Sequence, residues 1–304
     1  MRWRVVLVAI GIWLCAAPAQ AQTVRLAAPV DCLNNTGCGV GLRSVYGLDP
    51  SSVFVPLTVA DAGVSALDDG AAEVAVAFSS NPQVSRPDIV TLRDDRAMIY
   101  PDRVVPVVRR KLLRRYGPRA REIRRRLNDA SAALTTLALR GLNQAVIDGR
   151  LPEAVGGEFI DANGLADGAR RRPGQRIVVG YMAFEENETL AHLYAEALRA
   201  GGFRVVVRSV GGLRPEAVRK LRRDRIDVYA DYDGSLLRYL VGTAPERLKP
   251  GLRRTLGRID AEPMRLARAQ NRNVFVTKTE TAGRLGLSRL SDLARFWPPA
   301  RRTP

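Results

Sequence analysis

Short apolar segments alternate with helical patterns along most of this chain, and this alternation restricts its fold more than any other feature. The segments Val-Ala-Val-Ala-Phe at 74–78 and Ile-Val-Val-Gly at 177–180 are typical of buried strands. Between such segments lie patterns with helical periodicity, for example residues 188–200. Strands that alternate with helices at this spacing predict an α/β fold, with mostly parallel sheets flanked by helices.

The length of 304 residues allows about two domains of ~150 residues, or one large unit with two lobes. The segment Asp-Gly-Ala-Arg-Arg-Arg-Pro-Gly-Gln at 167–175 has no apolar residue larger than alanine. Glycine and proline in such a polar segment are typical of a linker. We therefore expect residues 167–175 to connect two halves of the chain.

The N-terminus resembles a secretory signal. Arg2 and Arg4 precede a mostly apolar run at 5–17, and Ala19-Gln20-Ala21 provides small residues for a signal peptidase. We expect residues 1–21 to be removed after Ala21 and the mature protein to be periplasmic. An uncleaved membrane anchor and lipidation of Cys15 are the alternatives.

Only two cysteines remain in the mature chain, Cys32 and Cys38. In an oxidising compartment, a close pair with glycine and asparagine between its members favours a disulfide. A metal site is not expected, because His192 is the one histidine of the sequence and lies far from both cysteines.

The chain is strongly basic, with 48 Lys plus Arg against 31 Asp plus Glu and a net charge of +17. Ten basic residues fall within 109–126. Such a stretch could bind nucleic acid or anionic lipid. Export argues against nucleic acid, and Tyr116 is the one aromatic residue of the stretch. We expect a solvated surface and no nucleic-acid partner.

Both halves of the chain resemble one family, the substrate-binding proteins of osmoprotectant ABC transporters of the glycine betaine, choline and carnitine (quaternary amine) type. The second half resembles the family's N-terminal half through Ile-Val-Val-Gly-Tyr-Met-Ala-Phe-Glu-Glu-Asn at 177–187 and Arg-Ile-Asp-Val-Tyr-Ala-Asp-Tyr-Asp-Gly-Ser at 225–235. The first half resembles the C-terminal half through Ala-Ala-Pro-Val-Asp-Cys at 27–32 and Glu-Val-Ala-Val-Ala-Phe-Ser-Ser-Asn-Pro at 73–82. Some family members also contain a matching cysteine pair.

This resemblance implies a two-lobed clamshell of the type II periplasmic-binding-protein class. Because the halves stand in reversed order, it also implies a circular permutation, with the family's natural ends joined through 167–175. Lobe 2 is then expected to comprise 22–79 and 273–304, and lobe 1 to comprise 80–272. Hinges are expected near 78–81 and 270–274.

The family binds quaternary ammonium groups in a cage of tyrosines, because such groups have no N–H and interact with aromatic faces. By resemblance, Tyr232 is a cage residue and Ser235 a hydroxyl that binds carboxylate. Other family positions differ: Met182 replaces a clamp lysine, Asn35 an arginine, and Asn273, Val64 and Asp102 replace cage tyrosines. The predicted ligand-binding residues are Tyr232, Ser235, Tyr181, Phe184, Tyr100, Asp102, Asp31 and Asn273.

The predicted cleft is locally acidic, through Asp31, Asp102, Glu185, Glu186, Asp231 and Asp233. The resemblance implies a periplasmic, monomeric solute-binding protein that delivers a quaternary amine to the permease of an ABC importer. No catalytic motif is apparent and no cofactor is expected. The alternatives are a different cationic or polar ligand in the same fold, or a basic protein that binds anionic polymers of the cell envelope.

Overall fold

The computed structural model describes residues 23–58, 62–166, 174–242 and 251–300. The predicted signal segment 1–21 and positions 167–173 of the predicted linker lie outside these ranges. None of the described helices is both long enough and apolar enough to cross a bilayer.

The described chain forms ten strands and eleven α-helices. Residues 23–99 contain β1 (Leu26–Pro29), α1 (Gly39–Gly41), β2 (Phe54–Leu57), α2 (Gly63–Asp68), β3 (Val74–Phe78) and β4 (Ile89–Thr91). Residues 100–272 contain β5 (Val104–Arg109), α3 (Arg110–Tyr116), α4 (Ala120–Ala133), α5 (Thr136–Ile147), α6 (Pro152–Ala162), β6 (Ile177–Tyr181), α7 (Glu185–Ala200), β7 (Val205–Ser209), α8 (Arg214–Arg222), β8 (Val228–Tyr232), α9 (Asp233–Val241), α10 (Leu252–Gly257) and β9 (Ala261–Pro263). The C-terminal part contains β10 (Asn273–Lys278) and α11 (Thr279–Leu285).

Two five-stranded sheets define two lobes. One sheet has the order β2-β1-β3-β10-β4, and the other has the order β7-β6-β8-β5-β9. In each sheet four strands run in one direction, and the strand next to one edge, β10 or β5, is antiparallel to its neighbours. The prediction of a two-lobed α/β fold is confirmed. The two sheets have equivalent topologies, in which β2, β1, β3, β10 and β4 correspond in position and direction to β7, β6, β8, β5 and β9. The two halves of the chain nevertheless show no repeat in sequence.

The chain crosses between the lobes in two neighbouring segments. Arg103 and Gln270 form an antiparallel bridge. The Val104 amide donates to Ala269 O over 3.0 Å, and the Asn271 amide donates to Asp102 O over 3.0 Å. The crossing segments are therefore hydrogen-bonded to each other where they leave the sheets.

The first crossing lies later in the chain than expected. The resemblance implies that lobe 1 begins at residue 80, yet β4 belongs to the sheet of β1–β3, and Leu92 and Met98 are buried in that lobe's core. The chain therefore crosses near residues 100–103, and lobe 2 extends to about residue 99. The segment 79–81 instead follows the buried strand β3 and packs beside the second crossing, where the Ser79 amide donates to Arg272 O.

Apolar side chains cover both faces of each sheet. In lobe 1, one core is built on α4–α7 around Tyr194, and the other includes residues of α8–α10 around Tyr229. In lobe 2, Phe275 lies in one core and Val276 in the other. Alternate residues of β10 therefore point to opposite faces, which explains why the centre of this strand, 274–276, is apolar at every position.

An ion cluster is buried where β5 meets β8. Asp227 is almost fully buried, and its carboxylate pairs with the guanidinium groups of Arg109 and Arg115 and accepts from the Val178 amide over 2.9 Å. Arg109 is also buried and pairs with Asp224. Two residues of the basic stretch therefore hold lobe 1 together.

Cys32 and Cys38 form the predicted disulfide. Cys32 and Cys38 are bonded, with their Cα atoms 5.2 Å apart, and both are buried in the core of lobe 2. The disulfide closes a loop that carries Asn35 and Gly37.

The buried ion cluster predicts a large loss of stability on substitution. Asp227→Ala leaves Arg109 buried without this partner, so we expect the free energy of unfolding to fall by about 3–5 kcal/mol. Urea unfolding measures this value. Glu158→Ala removes the partner of Arg150 in an exposed ion pair and should cost less than about 1 kcal/mol. Equal losses in the two variants would contradict the proposed role of the cluster.

The disulfide predicts a smaller effect. Cys32→Ser/Cys38→Ser releases a short loop, and the entropy of its closure corresponds to about 2 kcal/mol of stability. Thermal unfolding of the variant and of the reduced wild type should show the same decrease in Tm. An unchanged Tm in both would show that the loop is held by packing alone.

Candidate functional site

A cleft of about 830 Å³ lies between the lobes. Lobe 2 contributes Asn35, Gly37 and Phe78 to its wall, the crossing segments contribute Tyr100–Asp102 and 271–273, and lobe 1 contributes the start of α7 and the start of α9. Parallel strands present their carboxyl ends to this space, which is where open α/β sheets bind ligands. This cleft is the candidate site.

Six of the eight predicted ligand-binding residues line the cleft. They are Tyr232, Ser235, Phe184, Tyr100, Asp102 and Asn273. Tyr181 and Asp31 do not line it. Tyr181 ends β6, and burial, followed by a hydrogen bond with Glu188, raises the pKa of its phenol. Asp31 is exposed on the loop after β1.

Glu186 is the centre of a hydrogen-bond network in the cleft wall. Its carboxylate accepts from the Tyr232 hydroxyl, from Asn271 Nδ2 over 2.8 Å and from Asn143 Nδ2 over 2.7 Å. Asn143 Nδ2 also donates to Ser80 O over 3.0 Å. Glu186 thus links α7, β8 and the second crossing segment. Because Tyr232 is only 6% exposed, its ring forms part of this wall rather than a free cage face.

Asp102 holds the start of α9 against the first crossing segment. Its carboxylate accepts from the Ser235 amide over 2.9 Å and from the Ser235 hydroxyl. Burial raises the pKa of the Asp102 carboxyl, and the hydrogen bonds from Ser235 oppose that shift. Gly234 permits the close approach, since a Cβ there would lie 3.0 Å from Pro101 O.

Three arginines line the cleft and were not anticipated from the sequence: Arg214, Arg238 and Arg272. Arg214 Nε donates to both oxygens of the fully buried Asp231, over 2.9 and 3.1 Å. Arg238 Nη2 donates to the Ser235 hydroxyl over 3.0 Å. The Gly-Gly-Leu turn before Arg214 carries no signal of a cleft, so only the fold reveals this residue.

The expectation of an acidic cleft is therefore wrong. Asp31, Asp231 and Asp233 do not line it; Asp231 pairs with Arg214 and Asp233 pairs with Arg103. Among the described lining residues, three carboxylates accompany three guanidinium groups. The cleft is thus suited to a ligand that carries both charges.

Aromatic surface is available on two sides of the cleft. Tyr100 on the first crossing segment is 40% exposed, and Phe184 at the N-cap of α7 is 39% exposed. Glu185 follows Phe184 directly, is exposed and lines the cleft. Two aromatic side chains beside a carboxylate can bind an organic cation.

Two residues that the resemblance aligns with binding positions lie away from the cleft. Met182 is aligned with a clamp lysine and Val64 with a cage tyrosine. Both are buried in apolar cores. Within the described parts of the chain, no group of three or more His, Cys, Asp or Glu could hold a metal ion.

Several solved structures resemble the chain at low sequence identity. A phosphate-binding protein of a phosphate ABC transporter from Streptococcus pneumoniae is 10% identical, with 90% of this chain and 96% of that chain covered and a TM-score of 0.47. YehZ from Escherichia coli in its apo form is 11% identical, with 87% and 83% covered and a TM-score of 0.39. The VFT2 domain of BvgS from Bordetella pertussis is 13% identical, with 90% and 87% covered and a TM-score of 0.39.

A search of curated proteins finds no match. A family model, described as the substrate binding domain of an ABC-type glycine betaine transport system, matches residues 29–162 and 175–301. These ranges include both lobes and both crossing segments, and they leave out most of the predicted linker. The chain therefore belongs to the family of substrate-binding domains of ABC-type glycine betaine transport systems.

Proposed function

We propose that this protein captures a quaternary-amine osmoprotectant such as glycine betaine between its lobes and delivers it to the permease of an ABC importer. The observation that carries the proposal is the cleft of about 830 Å³ with the partly exposed rings of Tyr100 and Phe184 in its wall. Family membership supports the same class of ligand.

The ammonium group is proposed to bind near Phe184, Tyr100 and Glu185. A quaternary ammonium cannot donate hydrogen bonds, so ring faces and one nearby negative charge suit it. Glu186 is not proposed as its counter-ion, because its carboxylate already accepts from Tyr232, Asn271 and Asn143.

A carboxylate on the ligand is proposed to bind Arg238, or Arg272 on the second crossing segment. Guanidinium groups bind carboxylates with strong, charge-assisted hydrogen bonds. These arginines supply the positive charge that Met182 and Asn35 do not supply at the family's positions. This favours a zwitterion over choline. A purely cationic ligand is the second candidate, supported by exposed Glu185.

Export and the reversed order of the halves belong to the same proposal. The described chain begins and ends in lobe 2, where Trp297 Nε1 donates to Val24 O over 2.8 Å. The ends of α6 and β6 that flank the linker both belong to lobe 1. This placement suits a permutation that joins the family's natural ends. We further propose a monomer in the periplasm, with the signal segment removed after Ala21.

The aromatic contacts are tested by Tyr100→Ala and Phe184→Ala. Each substitution should weaken glycine betaine binding by roughly 2- to 30-fold, since a cation–π contact contributes about 0.5–2 kcal/mol. Titration calorimetry measures the Kd. Tyr239→Ala is the matched control, because Tyr239 is an exposed tyrosine that does not line the cleft. The absence of saturable binding of betaines, choline, carnitine and polyamines to the wild type would refute the proposal.

The proposed contact between Arg238 and a carboxylate of the ligand is tested by Arg238→Gln. If Arg238 binds a carboxylate, the Kd for glycine betaine should rise at least tenfold, since a hydrogen bond to a charged group contributes about 1.5–3 kcal/mol. The Kd for choline should stay within about twofold or fall, because a repelling charge is removed. An equal loss for both ligands would exclude a carboxylate contact at Arg238.

A further inference from the structure

A second concave space, of about 660 Å³, lies on lobe 1 around α10. Its described wall contains only arginines and glycines: Arg110, Gly251, Arg253, Arg254, Gly257 and Arg258. It shares no described lining residue with the cleft. It also lies beyond the far end of β5, whose six residues span about 20 Å, while Arg103 at the near end lies in the first crossing segment.

Ion pairs neutralise most of the neighbouring basic stretch. Lys111 pairs with Asp224, Arg114 with Asp260, and Arg125 with Glu122. This is why the ten basic residues of 109–126 do not form a free cationic face. The surface there contains carboxylates that pair with the basic residues, in addition to the solvated arginines that the sequence predicts.

The arginines around α10 differ from that pattern. Arg253, Arg254 and Arg258 are exposed, and none forms an ion pair with a carboxylate of the described residues. Glu262 pairs with Arg110 of this site over 3.6 Å, but its carboxylate also pairs with Arg124 over 3.0 Å. Arg253, Arg254 and Arg258 therefore give the space a positive charge that no ion pair among the described residues balances.

The floor of this space is fixed. Leu256 is fully buried and Thr255 nearly so, which anchors α10 in the lobe. The Arg110 amide donates to Asp260 O over 2.7 Å. A Cβ at Gly257 would lie 3.5 Å from the Arg110 guanidinium nitrogens, so this guanidinium lies over the glycine. Arg253 Nη2 is 3.5 Å from Pro263 O. Two of the four guanidinium groups are therefore held at the wall.

We propose that this space is a second binding site, separate from the cleft, for an anion that carries phosphate groups. Planar guanidinium groups bind phosphate oxygens through paired N–H donors, and several of them together favour a polyanion over a single charge. Such an anion would also relieve the mutual repulsion of the arginines. The ligand is a soluble pyrophosphate-like anion or the phosphate headgroup of an anionic lipid.

The site is tested on the full chain with Arg254→Gln/Arg258→Gln. Inorganic pyrophosphate, compared with chloride at equal ionic strength, should raise the Tm of the wild type. The Kd for pyrophosphate, from titration calorimetry, should increase at least tenfold in the variant, because it loses two charge-assisted hydrogen-bonding partners. The control, Arg222→Gln/Arg223→Gln, removes the same charge from exposed arginines of the same lobe and should bind as the wild type does.

Vesicles separate the two sources of phosphate. Equal mixtures of phosphatidylglycerol and phosphatidylcholine are compared with pure phosphatidylcholine in a flotation assay. Loss of flotation in Arg254→Gln/Arg258→Gln but not in the control identifies a lipid headgroup. Weakened binding of pyrophosphate without flotation of any protein identifies a soluble anion. If the two double variants behave alike toward both pyrophosphate and vesicles, the proposal is wrong.

Discussion

The pairing of the two crossing segments is the constraint on which the rest of the structure depends. Hydrogen bonds from Val104 to Ala269 and from Asn271 to Asp102 hold the segments side by side. Each segment then continues into the antiparallel strand of one sheet, β5 or β10. One local contact thus fixes where both lobes begin, and it brings Tyr100 and Asn273 into the wall of the same cleft.

Hydrogen bonding within the protein decides which charges remain for a ligand. Asp102 and Glu186 line the cleft, but their carboxylates accept from Ser235 and from Tyr232, Asn271 and Asn143. Such buried networks fix side-chain positions, because an unpaired buried carboxylate is costly. The groups left with fewer internal partners are Glu185 and the arginines on α9 and the second crossing segment. The cleft accordingly offers a ligand both negative and positive groups, whereas the acidic residues of the sequence alone predict a negative cleft.

Much of the fold follows from the sequence, and the site follows only in part. Apolar runs such as 74–78 and 177–180 predict buried strands, and β3 and β6 lie there. The first crossing is not predictable this way. The resemblance implies a hinge near 78–81, whereas the observed crossing near 100–103 depends on the pairing of Arg103 with distant Gln270. The motif at 225–235 predicts that Tyr232 lies at the cleft, and Tyr232, the last residue of β8, lines it. Local sequence does not predict Arg214, because its partner Asp231 is 17 residues away. The order of the halves relative to the family stays a prediction.

The most direct test of the central claim is a crystal structure determined with glycine betaine at saturating concentration. The account predicts ligand density between the lobes, with the ammonium against Tyr100 and Phe184, the carboxylate at Arg238 or Arg272, and the lobes closer together than in the structure described above. An empty cleft, or a ligand bound only outside it, would contradict the account.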